Sequence, residues 1–172
     1  MKLRFASLIL VLALAGAARA ETTVEVKGVH LCCPACVKAV DGILKKVEGV
    51  KGVIDREGRT ITLTAPDAAT AQKALDALAA GGFHGQTGSK ELTFKDDSGA
   101  AKGKVKTLTV TGVHNCCGQC NAAIKKAIKT VDGVKSDTCK AKEDTFEVTG
   151  DFDAQALIKA LNDAGYHAKV KK

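Results

Sequence analysis

The chain has no tryptophan, one tyrosine and one methionine, and aromatic residues make up only 3% of its 172 positions. With so few stacking side chains, and no lysine or arginine block interleaved with them, nucleic acid binding has little support. Beyond its first residues the sequence lacks any apolar run near the roughly 20 residues a membrane-spanning helix needs. It also offers no Ser/His/Asp set, no paired acid–base carboxylates and no glycine loop that would cradle phosphate, so an enzyme is not expected.

What stands at the start is an export pattern. Lys2 and Arg4 are basic, Leu8 to Ala15 is a short apolar run, and Ala18-Arg19-Ala20 places small residues where a signal peptidase reads. Residues 1–20 are therefore expected to be removed, leaving a periplasmic or secreted chain that begins at Glu21 and has no membrane span. No cysteine follows the small-residue site, which argues against a lipid anchor there. Losing Lys2, Arg4 and Arg19 leaves 23 basic against 19 acidic residues, so the net charge falls from +7 to +4.

The rest of the chain is written twice. Lys27-Gly28-Val29-His30-Leu31-Cys32-Cys33-Pro34-Ala35-Cys36 recurs, at an offset of 84, as Thr111-Gly112-Val113-His114-Asn115-Cys116-Cys117-Gly118-Gln119-Cys120. Val47, Gly49 and Val50 return as Val131, Gly133 and Val134 at that offset, and Gly82-Phe83-His84 returns as Gly165-Tyr166-His167 at 83. Agreement over such a distance points to duplication of a whole domain.

Both copies give one coarse reading. Thr23–Lys27 and Val105–Thr111 alternate as half-buried strands do. Val37, Val40, Ile43, Leu44 and Val47 share one face of a helix, as do Ala123, Ile124, Ala127, Ile128 and Val131. Hairpins follow at Gly52–Asp55 with Thr60–Thr64, and at Lys135–Lys140 with Thr145–Thr149. Asp67 and Asp153 are placed to cap second helices, after which a glycine leads to a last strand. In the first copy that strand is poorly marked at His84–Gly88, and Glu91–Phe94 is an alternative. The expected fold is α+β: two βαββαβ sandwich domains of ferredoxin-like topology in tandem, at 21–94 and 104–172, joined by a flexible polar linker at 95–103.

Six of the seven cysteines sit in the two motifs. Cys33 with Cys36, and Cys117 with Cys120, stand three apart at a helix start, so both sulfurs of a pair lie on one side of the first turn. Unpaired N–H groups there favour a thiolate, which predicts lowered thiol pKa values. Thiolates select soft ions such as Cu(I) and Zn(II), and also Hg(II). Cys-x-x-Cys is equally the spacing of thiol–disulfide exchange sites, and exported thiols tend to pair, so redox work and structural disulfides remain alternatives. Cys139 has no counterpart in the first copy and is expected as a buried thiol in a strand.

With these residues in view, the chain resembles two heavy-metal-associated domains. These are the ferredoxin-like modules of copper chaperones, metal-transport ATPases and periplasmic mercury-binding proteins. The resemblance covers nearly all of the expected mature chain and rests on Cys33, Cys36, Val37, Val40, Leu44 and Gly49-Val50, with Cys117, Cys120, Ile124, Ile128 and Gly133-Val134 in the second copy. It implies that Cys33, Cys36, Cys117 and Cys120 bind the ion, Cu(I) foremost. Here two extra residues and a third thiol precede the family's first cysteine, and its methionine is missing. Cys32 and Cys116 are thus third ligands or disulfide partners, with Cys36 as the partner expected for Cys32. His30 and His114 are ligands or loop braces. The aromatic–histidine pairs near 83 and 166 should point one side chain toward the metal loop and one away. The function expected is carriage, buffering or sequestration of soft metal at two similar sites. Lys38, Lys45, Lys46, Lys125, Lys126 and Lys129 put positive charge on the first helix of each copy, which reads first as a solvated face and second as a docking surface for a metal-transport or acceptor protein.

Overall fold

The computed structural model describes residues 20–171, so the signal-peptide reading lies outside the described residues except at Ala20. The first unit runs β1 (Thr22–Lys27), α1 (Pro34–Leu44), β2 (Lys51–Asp55), β3 (Thr60–Ala65) and α2 (Ala68–Ala80). The second runs β4 (Lys104–Thr111), α3 (Gly118–Ile128), β5 (Val134–Asp137), β6 (Phe146–Asp153), α4 (Ala154–Asp163) and β7 (Lys169–Val170). The second sheet has the order β5-β6-β4-β7 and the first β1-β3-β2, with antiparallel pairing throughout. This is the ferredoxin-like arrangement of an antiparallel sheet carrying two helices.

Alternation builds the core. In β1 and β3 the inward residues Val24, Val26, Ile61, Leu63 and Ala65 are buried, and they receive Val40 and Leu44 from α1 and Leu75 and Leu78 from α2. The caps form where the sequence placed them. The Asp67 side chain accepts from the Thr70 N–H at 2.7 Å, and Asp153 accepts from that of Ala156 at 2.8 Å. Each such cap contributes about 1 kcal/mol. No helix among the described residues is long and apolar enough to cross a membrane.

Three expectations are corrected. The first copy's last strand shrinks to a single bridge, in which Lys27 and Gln86 exchange backbone hydrogen bonds of 2.8 and 2.9 Å. Residues 91–94 do not replace it. The Gln72 side-chain amide on α2 donates to the Thr93 carbonyl and accepts from the Thr93 N–H, so the segment is tied to a helix and not to the sheet. Segment 95–103 has no regular structure but is packed down. Lys95 pairs with Asp76 at 2.7 Å, the carbonyl of buried Ser98 accepts from Val170 at 2.8 Å, and Gly103 accepts from Ala154 at 3.2 Å. Lastly, β5 stops at Asp137, so Cys139 lies past the strand, although it is buried as expected.

The packed segment also supports a pair of histidines that joins the two units. Asp97 accepts from His167 Nε2 at 2.7 Å, and His167 Nδ1 faces His84 Nδ1 at 3.3 Å. Burial works against the Asp97 charge, yet hydrogen bonds from Lys169 and His167 hold its carboxyl below the usual range. Burial, then the neighbouring His167, lower His84 to a pKa of about 4. A base with a depressed folded pKa takes up more protons when unfolded, so stability falls as pH drops below about 6.5 toward 4. Acid unfolding monitored by circular dichroism should show this loss, about 2–3 kcal/mol at pH 4, and His84→Asn should flatten it.

Candidate metal centre

Each motif loop leaves its first strand at a glycine of positive φ, Gly28 at +76° and Gly112 at +77°, and re-enters the fold at a helix start. Cys33 and Cys117 occupy the N-cap positions in extended conformation (φ −148° and −155°) without capping through their side chains, which leaves the sulfurs free for other contacts. Pro34 fits the first turn of α1 because its missing N–H would have no partner there. Cys36 and Cys120 lie one turn in, and both are fully buried.

The two loops meet. Phe83 and Tyr166 pair backbone to backbone across the units: His84 N–H donates to Gly165 O at 3.1 Å, and His167 N–H to Gly82 O at 3.0 Å. Each aromatic ring stacks on the opposite unit's motif histidine, Tyr166 on His30 with centroids 4.5 Å apart and Phe83 on His114 at 4.3 Å. Glycine is needed at both crossings. A Cβ on Gly82 would stand 2.3 Å from the His114 backbone nitrogen, and one on Gly165 would stand 2.4 Å from that of His30. The expected division of labour between aromatic and histidine therefore holds. Phe83 and Tyr166 face the motif loops, while His84 and His167 form their own pair.

All six motif sulfurs converge in one cluster. Across the units, Cys32 lies 3.4 Å from Cys120 and 3.7 Å from Cys117, Cys36 lies 3.7 Å from Cys116 and 3.8 Å from Cys120, and Cys33 lies 3.9 Å from Cys116. Within the units, Cys36 is 3.7 Å from both Cys32 and Cys33, while Cys120 is 3.6 Å from Cys116 and 3.7 Å from Cys117. All seven cysteines are free thiols, so the Cys32–Cys36 disulfide is not formed. Two separate sites were expected, and one shared set of sulfurs is found. His114 stands within reach of Cys36, Cys116 and Cys120, and His30 within reach of Cys32 and Cys120. Both Nε2 atoms are buried without a hydrogen-bond partner, a costly condition.

Other residues brace the loops, and of these sequence reasoning gave Arg59 and Asn115 no part in the site. Arg59, in left-handed conformation at φ +55°, donates to the carbonyls of Gly28 and Val29 and to Ala164 of the other unit. In the second loop this work passes to buried Asn115, whose amide donates to Lys140 O at 2.7 Å and Glu143 O at 3.1 Å. The Tyr166 hydroxyl donates to Cys120 O at 3.2 Å. The one available signal was that Arg59, Asn115 and Tyr166 each break the repeat at a matched position.

Thiol acidity departs from the helix-terminus expectation at Cys36, and the adjoining Cys32 and Cys116 are raised as well. Burial pushes the Cys32 thiol up and carries Cys116 to about 12, and the hydrogen bond to Cys120, then burial, raise Cys36. Crowding sulfurs out of water outweighs a terminal dipole interaction worth about 1 kcal/mol or less. Cys117 follows the expectation. Hydrogen bonding from the Cys120 backbone, against the pull of burial, lowers it to about 7. In the metal-free reduced protein Cys117 should therefore be alkylated by iodoacetamide at pH 7 at least about 100-fold faster than Cys116, as peptide mass mapping would show. Equal rates would contradict the assignment.

Residues 107–167 match the heavy-metal-associated domain family. The match spans the second unit from within β4, through its three motif cysteines, to His167. Among solved structures, the solution structure of the N-terminal soluble domains of Bacillus subtilis CopA is similar at 16% identity, with 89% of this chain and 95% of that chain covered and a TM-score of 0.33. The second unit thus carries a heavy-metal-associated domain.

Proposed function

We propose that the chain is an exported soft-metal protein, with Cu(I) as preferred cargo and Zn(II) or Hg(II) as competitors, that buffers or sequesters ions in a centre shared by both units. The observation that supports it is the convergence of Cys32, Cys33, Cys36, Cys116, Cys117 and Cys120 at 3.4–3.9 Å, with the imidazoles of His30 and His114 beside them. Six thiols in a mostly apolar setting favour a soft cation over hard ones, which prefer oxygen ligands. Cys32 lines a groove between the units and Cys116 a smaller opening on another side, so ions and an acceptor protein would have two approaches. Lys38, Lys46, Lys126 and Lys129 are exposed and suit an acidic acceptor, whereas Lys125 is engaged by Asp137.

The alternative is thiol–disulfide exchange, which the acidic Cys117 favours. Titrating the reduced protein anaerobically with Cu(I) against a competing chelator separates the two. Tight binding that protects all six motif thiols from alkylation supports the metal reading. Failure to compete, with rapid disulfide formation in air, would move the redox reading to first place.

A further inference from the structure

The sulfur contacts close triangles. Cys33, Cys36 and Cys116 are separated by 3.7, 3.7 and 3.9 Å. Cys32, Cys36 and Cys120 are separated by 3.7, 3.8 and 3.4 Å. A first-row ion sits about 2.3 Å from a thiolate, so three sulfurs around one ion stand about 4 Å apart when trigonal, whereas two sulfurs on opposite sides stand about 4.6 Å apart. The triangles have the trigonal size.

Triangles that share an edge are too close to hold an ion each, but triangles that share a corner are not. The two above share only Cys36. A third face, Cys32, Cys33 and Cys117, has its sulfurs within 4.8 Å of one another. A fourth is Cys116 and Cys117 flanking Cys120 at 3.6 and 3.7 Å. In this set every one of the six sulfurs belongs to two faces, and three of the four faces draw on both units.

Resting on the soft-metal reading above, we propose that the protein holds a polynuclear Cu(I) cluster, four ions on six bridging thiolates, assembled between its two units. Six bridging thiolates with three per ion accommodate four ions. Starting from thiols, four Cu(I) ions displace six protons and leave a cluster of net charge −2. The N-termini of α1 and α3, which both open onto the cysteines, carry the partial positive charge that offsets it. His30 and His114 stand at the rim, where an imidazole can complete a face whose sulfurs are drawn apart.

The test is native mass spectrometry of the reduced chain during anaerobic Cu(I) titration, with X-ray absorption of the loaded form. The expected result is a ceiling of four ions, the four-ion form accumulating ahead of the one- and two-ion forms, about three sulfurs per copper and a short Cu···Cu scattering path. Cys33→Ser, at a partly exposed position, should lower the ceiling while leaving the circular dichroism unchanged. A ceiling below four in the unmutated chain, or no Cu···Cu path, overturns the cluster and leaves the soft-metal reading standing. No binding at all overturns both.

Discussion

Replacing Cys36 with serine is expected to weaken Cu(I) binding by the whole chain more than about 100-fold, the second motif included. The scale follows because loss of a mere supporting partner already costs 10–100-fold in metal affinity, and Cys36 is a proposed ligand. The reach across units follows from contact. The Cys36 sulfur lies 3.7 Å from Cys116 and 3.8 Å from Cys120, so removing it disturbs two faces that each draw a sulfur from the other motif. In a chain with two independent sites, Cys36→Ser would halve the capacity and leave the remaining affinity intact. Competition titration of the variant distinguishes the two outcomes, and Cys120→Ser should reproduce the effect from the other side.

The second large effect is expected from one methyl group where the backbones of the two units cross. Gly165→Ala places a Cβ 2.4 Å from the His30 nitrogen and 2.5 Å from the Gly28 carbonyl oxygen, at a φ of +92°. Backbone occupies that space on both sides, so no side chain can move to relieve it. The units should come apart at this crossing, at a cost of at least about 2 kcal/mol, or about 4–8 °C in Tm for a chain of this size. Scattering should report a larger radius, and thiol protection by Cu(I) should fall with it. Gly88→Ala is the control: its φ is +65°, but nothing lies near the added atom. That variant should bear only the backbone cost of about 1 kcal/mol and keep its metal capacity.

Most of the fold was legible because it is local. Alternation in Val105–Thr111, the helical spacing of Val37, Val40 and Leu44, and the caps at Asp67 and Asp153 are written within a few residues of where they act. The six cysteines were legible for the same reason, as duplicated motifs. What the sequence concealed was their meeting. Docking between the units has no period, and its marks are a glycine–aromatic pair repeated as Gly82-Phe83 and Gly165-Tyr166, which reads equally well as a helix end and the start of a strand. The packed segment 95–103 was concealed because its order comes from distant partners, Asp76, His167 and Val170, that no local composition announces. Thiol acidity was misjudged at Cys36 because a helix start can be read from sequence, whereas the burial and sulfur contacts produced by a second unit cannot.

The scarcity of aromatic residues makes the central claim directly measurable. With one tyrosine and no tryptophan, the ring protons of Tyr166 give an unambiguous signal in a nuclear Overhauser spectrum of the reduced protein. Convergence of the two units predicts strong cross-peaks from Tyr166 to the His30 ring, whose centroid is 4.5 Å away, and matching peaks between Phe83 and His114. A Tyr166 ring that reports only neighbours from residues 104–171 would mean that the units stand apart, and would contradict a shared metal centre.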